Sequence, residues 1–351
     1  MFPGWAVIRP LINAHDHLEL NHFPRTRPRE SYASAHDWGR DVNALLDEEP
    51  YRSLRIAPLR DRVFIGGLKN LLSGALTVVH HNPPHRPLFD RTFPVCVVRP
   101  TAWAHSLGFS TPEEIQRAWR FRKRGTPFFI HAAEGTDARA ADELRQLEAL
   151  GCIDADTVLI HGVGMSDVDI VRIAGRVRAL VWCPSTNRYL LNARAPVERW
   201  LNAGGRVALG SDSRLTADGD LCDEAAFAHQ VFSQQDVERF IHEAAILPHG
   251  FKPDRTDSYL LAHDFPARRA DIALIVKDGM PLIGLPELMD RFPGTASVDA
   301  LLDGQPRRIA SDLARRILAC SLKEPGLYVD SPPARARFLI SRYTGRTMSG
   351  H

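Results

Sequence analysis

A closed barrel of alternating strands and helices, with a small C-terminal extension, is the fold that this sequence predicts. Three observations predict it. Short apolar runs recur between about residues 8 and 215, and each ends in a residue suited to metal binding or catalysis: His15 and His17, His131, His161, Asp212. Between Glu134 and Thr157, Met165 and Arg178, and Pro196 and Gly204 the apolar residues are spaced as in helices. The 351 residues suffice for one large α/β domain with an appendage. Strands that are apolar on both faces, alternating with helices, make a parallel sheet. Closing that sheet gathers the C-terminal ends of its strands around one mouth, where residues distant in sequence meet.

Residues 7 to 15 form the first strand, ending in Ile12-Asn13-Ala14-His15-Asp16-His17-Leu18. Side chains at i and i+2 share one face of a strand, so His15 and His17 reach a common point. Residues 19 to 55, with Pro24, Pro28 and Pro50, read as a long polar loop of the kind that carries function. Residues 59 to 73 have helical spacing, with Gly74 as a stop signal. Residues 75 to 79 form the second strand, running into His80-His81-Asn82-Pro83-Pro84-His85, and 95 to 98 a third, running towards Trp103-Ala104-His105. A helix over 112 to 124 precedes the strand that ends in His131, and a helix over 137 to 150, closed by Gly151, follows it. After Thr157-Val158-Leu159-Ile160-His161, Ser166-x-x-Asp169 resembles a capping box with Asp in place of the usual Glu or Gln. Residues 179 to 182 lead into Cys183-Pro184-Ser185-Thr186-Asn187, and 207 to 209 into Gly210-Ser211-Asp212. Seven strands are legible where a closed barrel wants eight, and the span 82 to 127 is short for two full units.

Beyond Asp212 the pattern changes. Residues 234 to 247 and 309 to 321 look helical, 270 to 276 and 300 to 304 look like strands, and the arginine-rich tail from Pro332 is expected to fray. The expected division is a barrel over 1–250 and an extension over 251–351.

Bulk properties exclude several classes. A formal charge of +2 and a pI near 8.3 leave no footprint for nucleic acid. No apolar stretch approaches the roughly 18 residues that span a bilayer, and the N-terminus lacks the layout of a signal peptide. The cysteines at 96, 152, 183, 222 and 320 form no C-x-x-C pair and read as small buried hydrophobes of a cytoplasmic protein. A homo-oligomer is left open, since oligomeric state leaves no trace in the sequence.

His15, His17, His131 and Asp212 together offer three nitrogens and a carboxylate oxygen. That set suits Zn²⁺ first and Fe²⁺ second, with a position left for water. A bound divalent ion lowers the pKa of water from 15.7 to about 7. Asp212 can accept the proton as that water attacks, and Glu134 can carry it to a leaving nitrogen. His161 either holds developing charge or orients the nucleophile. His81 and His105 either line the mouth beside a substrate, with Trp103 as a stacking surface, or bond the backbone of a polar loop.

Asn13-Ala14-His15-Asp16-His17-Leu18, Ile130-His131-Ala132-Ala133-Glu134-Gly135, Leu159-Ile160-His161-Gly162, Cys183-Pro184-Ser185-Thr186-Asn187 and Leu209-Gly210-Ser211-Asp212 jointly resemble the amidohydrolase superfamily. The likeness is to its chlorohydrolase and guanine deaminase-like branch, which holds a single metal. The resemblance implies a distorted (β/α)8 TIM-like barrel with His15, His17, His131 and Asp212 as metal ligands. It implies Glu134, His161 and Asp212 as catalytic residues, with Asn187 on the loop after a late strand, beside the substrate. The family's β-sandwich is expected to lack its N-terminal part, because only fourteen residues precede His15, leaving remnant strands near 270 to 304. No lysine ends a predicted strand, so a carbamylated-lysine dinuclear site is not expected. The reaction implied is hydrolysis at an sp² carbon of a small molecule. Deamination of an aminated heterocycle, at a non-peptide C–N bond, leads because expelling ammonia needs a proton donor such as Glu134. An amide or carbon–halogen hydrolase using the same site is the alternative, and a non-catalytic metal-binding barrel the rival from another class.

Overall fold

The computed structural model describes residues 3–253 and 257–331, so the tail from Pro332, His351 included, lies outside the described residues. In chain order the strands are β1 (Ala6–Ile8), β2 (Leu11–Asp16), β3 (Ala75–His80), β4 (Cys96–Val97), β5 (Ala102–Ala104), β6 (Phe128–Ala132), β7 (Thr157–His161), β8 (Ala179–Trp182), β9 (Val207–Leu209), β10 (Tyr259–Ala262), β11 (Leu274–Lys277), β12 (Met280–Gly284), β13 (Ser297–Leu302), β14 (Gln305–Ala310) and β15 (Leu327–Val329). The fold is mixed α/β: β2–β3–β4 and β5 to β9 make parallel sheets of three and five strands. A separate antiparallel sheet of seven strands runs in the order β1-β10-β11-β12-β14-β13-β15.

The absence of polar alternation in the parallel strands has a direct cause. One face of these strands contributes Ile12, Val79, Phe129, Ile160, Val181 and Ala208 to a shared apolar cluster. The other face contributes Leu11, Val78, Phe128, Leu159, Leu180 and Leu209 to a cluster with helical residues such as Leu72, Ile173, Trp200 and Phe240. Both faces are therefore buried, each large apolar side chain contributing roughly 1.5–3 kcal/mol. The helix Leu59–Leu72 is buried from Val63 onward. It stops where Gly74 takes a φ of 76°, and Leu11 then donates to Gly74 O at 3.0 Å to begin β2.

Several sequence expectations are corrected. The strand expected over 7 to 15 is two strands, β1 and β2, separated by Arg9 and Pro10, and β1 pairs with β10 rather than with the parallel sheet. The eighth parallel strand is β5, Ala102–Ala104, too short to announce itself by periodicity. The polar loop expected over 19 to 55 contains two helices, Ala35–Leu45, capped by Ser34, and Tyr51–Arg55. Asn187, expected on a loop, lies in the helix Pro184–Leu191, where Pro184 occupies a first-turn position that its fixed φ favours. At Ser166 the hydroxyl accepts from Asp169 N at 3.2 Å and donates to Asp169 Oδ2 at 2.6 Å. Asp thus bonds the capping side chain itself, where a longer Glu would return to the backbone.

Candidate metal centre and cavity

The C-terminal ends of β2, β6, β7 and β9 deliver the predicted residues to one place. His15 Nε2 stands 3.2 Å from His131 Nε2 and 3.8 Å from Asp212 Oδ1. His17 Nε2 is also 3.8 Å from Asp212 Oδ1. His15, His17 and Asp212 place one donor atom each within 4.8 Å of one another, and His15, His131 and His81 do the same. All five side chains are buried. Burial first, then repulsion among neighbouring imidazoles, holds His15, His131 and His81 well below their usual pKa. Neutral imidazole is the metal-binding form. His81 Nε2 donates to Ala104 O at 2.9 Å, which leaves Nδ1 with a lone pair and no partner. A buried, converging set of imidazole nitrogens with one carboxylate fits a divalent cation of the zinc or iron type.

Local backbone geometry makes this convergence possible. The pairing of β2 with β3 is irregular between Asn13 and Asp16, and both Ala14 and His15 face inward. Val158 and Ile160 face inward, so plain alternation would turn His161 away. His161 takes a φ of 75° and reaches the cavity instead. Asp212 has a φ of 54°. Such left-handed residues cost about 1–3 kcal/mol and persist where surrounding bonds hold them. Gly210 leaves room for this crowding: a Cβ there would stand 2.8 Å from both His15 Cβ and Val181 Cγ1.

Glu134 Oε1 lies 3.4 Å from His161 Nε2. Asn187 Nδ2 donates to His161 Nδ1 at 2.9 Å, so the His161 proton sits on Nε2, towards Glu134. Burial, then the charge of Asp212, raises the Glu134 pKa well above the carboxylate range. Burial lowers His161 to about 4. The pair therefore combines a carboxyl that holds its proton more tightly than usual with an imidazole that binds one less readily than usual. Ala133, with a φ of 53°, is held by its N–H bond to Glu143 Oε2 at 2.7 Å. Ala35 donates to Glu134 O at 2.9 Å, which ties the helix Ala35–Leu45 to the loop that carries Glu134.

These residues floor a cavity of about 400 Å³, walled by Leu20, Phe23, Trp38, Val42, Phe109 and Leu215. Of the three residues expected beside a substrate, His105 lines the cavity. His81 lies behind His131 with rings stacked at 4.4 Å, and Asn187 lies behind His161. Sequence reasoning assigned no role to Trp38 and Phe109 as walls, nor to Lys69 and Asp16 behind the candidate metal donors. Lys69 carried a signal: a charge within the mostly apolar stretch 63–72 needs a partner.

The helix that carries Asn187 is anchored by Glu224, which accepts from Ser185 N at 2.9 Å and from the Ser185 hydroxyl. Burial raises Glu224 to about 8 from 4.5. Its folded value exceeds its unfolded one, so its stabilising contribution is complete below 4.5 and is lost as pH rises through about 8. The urea midpoint of the parent protein should therefore fall relative to that of Glu224→Gln between pH 5 and pH 9. A constant difference across that range would contradict this.

No protein-family model matches the chain. It is 32% identical over 143 residues to a 5-methylthioadenosine/S-adenosylhomocysteine deaminase of Natronomonas pharaonis, covering 38% of this chain and 33% of that protein. With the protein of the same name from Haloarcula marismortui it shares 25% identity over 260 residues, 62% of this chain and 60% of that protein. The chain thus spans a third to three-fifths of the length of these relatives. In fold it is similar to an atrazine chlorohydrolase from Arthrobacter aurescens TC1 complexed with zinc, with a TM-score of 0.61 at 17% identity, covering 80% of this chain and 84% of that one. No described helix is long and apolar enough to cross a membrane. Likeness to deaminases in sequence and to a chlorohydrolase in fold meet in this chain.

Proposed function

We propose that this chain is a divalent-metal-dependent hydrolase that removes an amino group from a heterocyclic small molecule. One observation carries the reading: a carboxyl, Glu134, stands 3.4 Å from His161 and faces a buried, converging cluster of imidazoles across a cavity of ligand size. His15, His17, His131 and Asp212 would hold the ion, with zinc preferred to iron. When bound, that ion supplies the charge that lowers the pKa of water from 15.7 to about 7.

The chain's own residues then divide the work. Asp212 accepts the proton of the water that attacks the amino-bearing sp² carbon. Glu134 gives its proton to the nitrogen, so that ammonia rather than an amide anion departs. His161, with Nε2–H directed into the cavity, donates to the oxygen as negative charge develops on it. The apolar walls, Trp38 and Phe109 among them, suit a planar ring and keep bulk water out. His105 at the lining would contact the ring edge, while His81 and Asn187 support the site from behind. The names of the deaminases similar in sequence favour an adenosine-like substrate within this class.

We read the two parallel sheets as arcs of one distorted eight-stranded barrel. Inward side chains from both arcs share one cluster, and Asp212 N donates to His15 O at 2.9 Å, joining the end of the last strand to the first. Residues 1–250 would form the hydrolase unit and residues 251–351 the extension, with β1 contributed to the extension's sheet.

Zinc-loaded protein should release ammonia from at least one of a panel of aminopurine nucleosides, including 5-methylthioadenosine, aminopyrimidines and aminotriazines. Simple amides and chlorotriazines should be inert. Turnover confined to amides or to carbon–chlorine bonds would overturn the deaminase reading.

A further inference from the structure

We propose that Lys69, buried behind the candidate metal centre, is a positioning residue that sets the donor geometry of His15, His17 and Asp212 from the outward side of the strands. The proposal rests on the metal-site reading above. Lys69 projects from the helix Leu59–Leu72 and is fully buried. Its Nζ donates to Asp212 O at 2.8 Å and to Ser211 Oγ at 3.0 Å, and pairs with Asp16 Oδ2 at 2.9 Å. All three partners lie in the two segments that supply metal donors.

Each bond has a specific consequence. Asp16 sits between His15 and His17 and points away from the cavity. Its Oδ2 also accepts from Asn70 Nδ2 at 2.7 Å, and its Oδ1 accepts from Asn21 Nδ2 at 2.8 Å. Anchoring this one side chain fixes the irregular stretch of β2 and thereby the directions of both histidines. Asp212 is held on both peptide groups, its N–H by His15 O and its carbonyl by the Lys69 ammonium. With its backbone pinned in a left-handed conformation, the carboxylate has one direction to take. Asn13 joins the two segments again: its Oδ1 accepts from Ser211 N at 2.9 Å and its Nδ2 donates to Ser211 Oγ at 2.7 Å. Lys69 and Asp16 are a buried ion pair, and a buried charge left alone is strongly destabilising. A single Lys69 variant would therefore confuse positioning with folding.

The test is the neutral double variant Lys69→Met with Asp16→Asn, which removes both charges together. Zinc affinity is measured by competition with a chromophoric chelator, and donor geometry by the visible spectrum of the Co²⁺-substituted protein. The expected result is a melting temperature close to that of the parent, zinc bound about 10- to 100-fold more weakly, and a changed cobalt spectrum. A folded double variant with parental affinity and spectrum would overturn the proposal while leaving the metal reading intact. Failure of the parent itself to bind zinc would overturn both. Should the double variant not fold, Ser211→Ala decides, because it keeps the ion pair and removes only the hydroxyl between Lys69 and Asn13. About threefold weaker zinc binding supports positioning, and unchanged affinity refutes it.

Discussion

Replacing Glu134 by Gln should lower kcat by about two to four orders of magnitude while the protein keeps its zinc. Gln matches Glu in shape and can still accept the Nε2–H of His161, which lies 3.4 Å from Glu134 Oε1. What it cannot do is take up and deliver a proton. Glu134 is not among the converging metal donors, so the ion should stay in place. The two readouts are steady-state kinetics and metal content by elemental analysis. A variant within tenfold of the parent rate would show that Glu134 only lines the cavity. A variant that had lost its metal would make it part of the centre instead.

Removing the metal should have the other large effect. Treatment with a strong chelator should reduce turnover to background and lower the melting temperature, and stoichiometric zinc should restore both. A ligand present at about 100 times its Kd adds roughly 2.7 kcal/mol of stability to the folded state. His131→Ala should resist restoration, because it deletes the nitrogen that stands 3.2 Å from His15 Nε2. The pH dependence has a definite sign. His15 and His131 are held well below 6.5, so the folded, metal-free protein carries no proton on them near neutrality. Zinc binding should therefore displace no protons from them between about pH 6 and 8, and the advantage should be lost only as pH falls well below 6.5. NMR titration of the His15 and His131 ring protons in the metal-free protein measures this, and midpoints near 6.5 would show that these imidazoles titrate as ordinary exposed ones do.

The site was legible where chemistry sits at the end of an apolar run. His15, His17, His131, His161 and Asp212 each close such a run, and the structure brings all five together. Other features were hidden for physical reasons. β5 has three residues, too few for any period to show. The split between β1 and β2 depends on Arg9 and Pro10 interrupting what otherwise reads as one apolar stretch. Trp38 and Phe109 become cavity walls only through tertiary packing, which no local pattern encodes. The helix over Pro184–Leu191 reads as a loop in the sequence, although Pro184, a favoured first-turn residue, stands two positions after the end of a strand. Lys69 is another case: its spacing is that of a core residue, and only its charge marks it.

The pairing of β1 with β10, Ala6 opposite Ala262, carries a practical consequence for anyone recombining this protein with a relative. Arg9 and Pro10 alone separate that seam from the strand bearing His15. A chimera that exchanged the terminal sheet while keeping the native first ten residues would mismatch β1 with its new neighbour. The misfit would propagate along a two-residue tether into His15 and His17, so residues 6–8 must travel with whichever sheet is installed.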